Sequence, residues 1–220
     1  KDNFDDNWRD YDFVLDRLTK DKVLSVPHYY YTYSGSVFSM DEKETKFLEN
    51  QHILPDALLN RVGKDPTRNL AVYKIIKEWA DKDHNILFFG ANVNQAVMMK
   101  EFLNHNGIKS AVITADTKFG SRHKYVKMFK DKKIQVLCNY NVLTTGFDSP
   151  KVDTVIIARP TGSRLMYEQM VGRGLRGPRF GGTPTCDIIT VLDNILNYSQ
   201  KRIKQGHEEY AETAKGISDE

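Results

Sequence analysis

Five apolar, β-branched runs recur between residues 86 and 191: ILFFG (86–90), SAVIT (110–114), IQVLC (134–138), DTVIIA (153–158) and CDIITV (186–191). A strand with one wet face alternates apolar and polar side chains. These runs are nearly continuous, which predicts strands covered on both faces, as in a parallel sheet. Helical stretches lie between them. VNQAVMMKEFLNHNG places Ala96, Met99 and Leu103 on one stripe, with Gly107 as its stop. SRHKYVKMFKDKK sets Arg122, Tyr125, Val126 and Phe129 at helical spacing, with lysines elsewhere. Strand, helix, strand at this rhythm predicts a three-layer α/β domain with a mostly parallel sheet and right-handed crossovers.

Upstream, DPTRNLAVYKIIKEWADK (65–82) reads as a helix with Pro66 in its first turn and Tyr73, Ile76 and Trp79 or Ala80 on its apolar side. Residues 1–60 are less regular. WRDYDFVLDRLTK suggests a short helix, and VLSVPHYYYTYSG a strand whose Pro27 favours an edge position. The tail after residue 195 is polar and helical in propensity.

The chain has 220 residues, 40% hydrophobic and 28% charged, enough for one core with length left for an extension. A net charge of +3 does not announce nucleic-acid binding, so any basic surface must come from local clustering. No apolar run approaches the roughly 20 residues of a membrane span, and the first residues lack a signal-peptide pattern. Cys138 and Cys186 sit in strand-like runs and read as buried free thiols of a reducing, cytoplasmic compartment, with no metal site. The first residue is Lys1, which suggests a segment of a larger protein.

In a parallel sheet, ligands collect at the carboxyl ends of the strands, and three segments there carry chemistry. After ILFFG, Asn92 or Asn94 of ANVNQA suits a helix cap; the same segment also offers backbone amides to a phosphate. After IQVLC, NYNVLTTGFDSP (139–150) offers Gly146 and the carboxylate of Asp148, though Asp-Ser-Pro is also an ordinary turn sequence. After DTVIIA come ARPTGS, with Ser163 as a cap, and YEQMVGRGLRG (167–177). Read as a helix, that last stretch puts Gln169, Arg173 and Arg176 on one face. Arginine carries a fixed charge and a planar fork suited to phosphate. Gly172, Gly174 and Gly177 weaken such a helix but permit close approach to a ligand.

NYNVLTTGFDSP followed by YEQMVGRGLRG resembles motifs V and VI of superfamily 2 helicases and translocases, with the Q-x-x-G-R-G-x-R pattern complete from Gln169 to Arg176. ILFFGANVNQA resembles motif IV, and TADTKFGSRHKYVKMFK resembles the helix after the second strand. The resemblance covers roughly residues 65–195 and implies the second RecA-like domain of a two-domain motor. It leaves residues 1–64 as an extension or linker from a first domain and 196–220 as a polar helical tail. The wording is closer to DNA repair and restriction-type members than to DEAD-box proteins, which usually have His where this chain has Gln169.

No G-x-x-x-x-G-K-[ST] occurs, and the acidic DEKE at 41–44 does not end an apolar strand. Asp193 ends a strand but no phosphate loop precedes it, so it reads as structural. The family places the grip on ATP and Mg²⁺ in the first domain, and the chain alone is expected to be inactive. By the same resemblance Arg176 is the arginine finger, Arg173 its partner at the γ-phosphate, and Gln169 the residue nearest the nucleotide or its attacking water. Gly146, Asp148 and Gly172 are nucleotide-side candidates. Gly90, Thr114 and Thr144 or Thr145 are candidates for the nucleic-acid backbone, with DNA favoured over RNA. The lysines of HKYVKMFKDKK either extend that track or are the solvated face of a helix. Two other readings stand beside the motor: a non-catalytic RecA-like binding module, and an unrelated doubly wound nucleotide enzyme, which would need a Rossmann-type G-x-G-x-x-G between a strand and the helix it opens, whereas GRGLRG (172–177) follows the helical YEQMV.

Overall fold

The computed structural model describes residues 15–51, 53–142 and 151–196. Its six strands form one parallel sheet in the order β1-β6-β5-β2-β4-β3. The strands are β1 (Val26–Ser39), β2 (Ile86–Phe89), β3 (Ser110–Ile113), β4 (Val136–Asn139), β5 (Thr154–Ile157) and β6 (Thr185–Leu196). Every residue of β2, β4 and β5 is buried, the condition that continuous apolar runs anticipate.

Successive side chains of each strand enter opposite layers. On one face Leu87, Phe89, Leu137, Val155 and Ile157 pack with Phe129 of α5 (Phe119–Lys130) and with Tyr167, Met170 and Val171 of α6 (Arg164–Val171). On the other, Ile86, Phe88, Val136, Cys138 and Ile156 meet α3 (Pro66–Asp81) through Val72 and Ile76, and α4 (Val93–His105) through Ala96, Met99 and Leu103. This is the expected three-layer, RecA-like arrangement. Pro66 lies in the first turn of α3, and the Asp65 carboxylate accepts from the Arg68 N–H at 2.7 Å. Cys138 and Cys186 are buried free thiols, both pushed up from the ordinary thiol range by burial. Among the described residues no helix is long and apolar enough to cross a membrane.

Residues before α3 join the same sheet. β1 lies at its edge and pairs along β6 from Val26↔Thr185 to Ser39↔Leu196, with an irregularity between Tyr33 and Val37 where Gly35 takes φ 78°. Two further helices, α1 (Glu42–Gln51) and α2 (Asp56–Lys64), cover one end through Leu48, Leu58, Leu59 and Val62. DEKE proves to be a helix start: Asp41 accepts from the Glu44 N–H at 2.8 Å, and Glu44 accepts from the Asp41 N–H at 3.1 Å.

Asp193 is structural, as its sequence context indicates. Arg68 and Asp193 form an ion pair with both side chains 0% exposed, and Arg68 Nη2 also donates to the Ala158 carbonyl at 2.6 Å. The pair ties α3 and β6 to the carboxyl end of β5.

Candidate functional site

The carboxyl ends of β5, β2, β4 and β3 form one edge, and the predicted residues approach it from different segments. Gly90 follows β2 and is buried; its N–H donates to the Asn139 carbonyl at 3.0 Å. Asn92 is the cap of α4, accepting from the Gln95 N–H at 2.8 Å, and Ala91 N–H donates to Gln95 Oε1 at 2.6 Å. The Asn92 amide also donates to the Leu59 carbonyl of α2 at 3.2 Å. The Asn92 cap expected from the sequence is therefore present, with the Ala91 and Gln95 N–H groups engaged within the protein. Thr114 follows β3 and is buried in a turn: its N–H donates to Thr117 Oγ1 at 2.9 Å, and its carbonyl accepts from Arg122 Nη2 at 3.3 Å. Thr144, Thr145, Gly146 and Asp148 lie outside the described residues.

The segment of Gln169, Arg173 and Arg176 departs from the single helix expected of it. Ser163 caps α6, accepting from the Met166 N–H at 3.3 Å. Tyr167, Met170 and Val171 bury one side, and the Tyr167 hydroxyl lies 3.1 Å from Thr190 Oγ1 of β6. The helix stops at Val171, with Gly172 as its C-cap. Gln169 is therefore helical and half-buried, while Arg173 and Arg176 follow in a turn and an extended segment, not on one helix face.

The glycines explain the break, and their close approach is to the protein itself. A Cβ at Gly174 would collide with Cys186 Sγ and stand 2.6 Å from Val155 Cγ2, both in the core. At Gly177 it would overlap the Lys22 carbonyl and stand 2.7 Å from Val23 C. Only glycines let this loop lie flat on β5, β6 and residues 22–24.

Both arginines are half-buried. Partial burial lowers the pKa of Arg173 from the ordinary arginine value. Arg176 Cζ lies 6.0 Å from the centroid of the Phe180 ring. Its backbone is fixed: Arg176 bridges to Leu24, and the buried Ser25 hydroxyl faces the carbonyls of Arg176 (2.8 Å) and Thr183 (2.7 Å). Sequence reading assigns no role here to residues 22–25.

It also passes over Arg159, at the end of β5. That guanidinium lies 4.6 Å from the centroid of the Tyr140 ring beyond β4, and its Nε is shielded from water with no hydrogen-bond partner among the described residues. Burial lowers its pKa, against the opposing influence of Tyr140 and Asp56. The signal was an arginine inside ARPTGS, quoted only for its capping serine. Among the described residues no group of three or more His, Cys, Asp or Glu is placed to hold a metal ion.

Residues 68–177 match the helicase conserved C-terminal domain family. The putative ATP-dependent helicase IRC3 of Saccharomyces cerevisiae is 37% identical over 90 residues, 41% of this chain and 13% of IRC3. A 51.5 kDa protein of Lactococcus phage 7-9 is 26% identical over 216 residues, 96% of this chain and 45% of the phage protein. The chain spans less than half the length of these curated relatives. Among solved structures, the C-terminal domain of the DEAD-box protein Dbp5 matches with TM-score 0.54 at 16% identity, covering 86% of this chain and 87% of that one. At that identity the likeness is one of fold.

Proposed function

The chain belongs to the helicase conserved C-terminal domain family, and from that premise we propose that it is the second motor domain of an ATP-dependent superfamily 2 helicase or translocase. The motif-bearing part is residues 65–195, preceded by residues 1–64 as the extension from a first domain, within which β1, α1 and α2 supply an edge strand and covering helices. A first RecA-like domain would hold ATP and Mg²⁺. Phosphoryl transfer depends mainly on positioning and charge compensation, and a guanidinium brought to the γ-phosphate is generally worth about 10³–10⁵ in rate.

The observation that supports this reading is the mounting of Gln169–Arg176. The segment is fastened to the sheet by Tyr167, by the flat contact at Gly174 and by the Ser25 hydroxyl, while both arginines are half-buried. Fixed backbone with charged ends suits a group that must meet a ligand presented by another domain. Arg176 is the arginine finger, Arg173 its partner at the γ-phosphate, and Gln169 the residue nearest the nucleotide or its attacking water. Gly146, Asp148 and Gly172 are assigned to nucleotide contact by the same motif resemblance. Gly90, Thr114, Thr144 and Thr145 are assigned to the nucleic-acid backbone, with DNA as the preferred polymer.

The test is a pair of measurements on this chain. It is expected to bind single-stranded DNA with an affinity that falls as salt rises, the mark of phosphate contacts, and to hydrolyse no ATP. Robust hydrolysis by the chain alone, or no DNA binding at low salt, would overturn the proposal.

A further inference from the structure

The first turn of α5 carries a side chain that the fold does not use. Phe119 is 78% exposed, the most open of the large hydrophobic residues among those described. It stands edge-on against His123, one turn along, with ring centroids 4.4 Å apart. Phe119, His123, Lys127 and Lys130 recur at four- and three-residue spacing and share one face, while Tyr125, Val126, Met128 and Phe129 pack into the core.

The charges on this helix are one-sided. From Lys118 to Lys130 the chain has Lys118, Arg122, His123, Lys124, Lys127 and Lys130 and no Asp or Glu. None of the four lysines forms an ion pair among the described residues, whereas Lys77 and Lys82 of the α3 region and Lys100 of α4 each pair with a carboxylate. An ordinary solvated helix face mixes signs. α5 instead joins an open aromatic ring to uncompensated positive charge, beside the turn that carries Thr114.

We propose that Phe119, braced by His123, is a stacking platform for one base of a single-stranded nucleic acid, whose adjacent phosphates meet Lys124 and Lys127. Hydrophobic exposure alone would suit a protein partner; the unbroken positive charge favours a polyanion with π faces. This rests on the nucleic-acid reading above and adds a base contact to its backbone contacts.

The experiment titrates the full chain with a fluorescent single-stranded oligonucleotide containing 2-aminopurine, and with an abasic counterpart. Phe119 makes no core contact, so Phe119→Leu should fold, which its thermal transition checks. The variant should bind at least about fivefold more weakly, from the usual strength of one base–aromatic stack, and should lose the 2-aminopurine quenching. Phe119→Trp should keep both. With the abasic strand, wild type and Phe119→Leu should bind alike. Lys127→Gln should lower the salt slope by about 0.7, the single-strand value for one phosphate. Equal affinity of wild type and Phe119→Leu for the normal strand would overturn the platform. So would a Phe119→Leu effect confined to self-association or to docking of another domain. If wild type binds no oligonucleotide, the underlying nucleic-acid reading fails as well, a result distinct from the first.

Discussion

Removing Arg68 probes what holds the carboxyl edge of the sheet together. Its Nε donates to Asp193 Oδ1 at 2.7 Å, and its Nη2 to Asp193 Oδ2 at 2.9 Å and to the Ala158 carbonyl at 2.6 Å. Both side chains are 0% exposed. Arg68→Met deletes all three bonds and leaves a buried carboxylate without its cation, although the Ser34 hydroxyl still donates to it at 2.6 Å. Breaking one side of a buried pair costs about 3–5 kcal/mol, against a typical total stability of roughly 5–15 kcal/mol. Urea unfolding should therefore show a large fall in midpoint with little change in slope. Arg68→Met/Asp193→Leu removes the buried carboxylate together with the guanidinium and should recover most of the loss, because replacing a whole buried pair is often close to neutral. A cost below about 1 kcal/mol for the single variant, or a double variant as unstable as the sum of its parts, would refute the reasoning.

Gly174→Ala forces a methyl group against Cys186 and Val155 and should cost about 1–3 kcal/mol in urea unfolding; Cys186→Ala should relieve part of it, and additive losses would contradict the contact. Ser25→Ala strips the hydroxyl from two carbonyls and should cost about 1–3 kcal/mol by the same assay. Glu44→Gln tests a pH dependence. The Arg61 guanidinium, 2.8 Å from both carboxylate oxygens, lowers the Glu44 pKa from its ordinary 4.5. A lowered folded pKa gives stability that is present above 4.5 and lost as pH falls through the lower folded value. Because Arg61 is 46% exposed, the variant should cost about 1 kcal/mol at pH 7. That difference should vanish in unfolding curves below the folded pKa, and a gap that persists in acid would count against the pairing.

The sheet was legible because burial on both faces writes an unbroken apolar run, as in ILFF and TVII. Pro27 likewise marks an edge strand, and β1 lies at the edge beside β6. What periodicity could not supply was the end of α6. Spacing of four and three puts Gln169, Arg173 and Arg176 on one helix face only if the glycines are tolerated within a helix. Their reason lies elsewhere in the chain: Gly174 needs room for Cys186 and Val155, and Gly177 for residues 22–23. Contacts at that sequence distance leave no local pattern. The same holds for Arg68 and Asp193, 125 positions apart, and for Ser25 beneath Arg176. Asp41-x-x-Glu44 differs, since its reciprocal cap is written locally in the sequence.

In the proposed motor, Arg176 acts on a nucleotide held by another domain. The most direct test is nucleic-acid-stimulated ATP hydrolysis by the intact protein containing this chain, wild type against Arg176→Ala, with nucleotide affinity measured alongside. Turnover should fall by about 10³-fold or more while most nucleotide binding remains. Unchanged turnover would contradict the account.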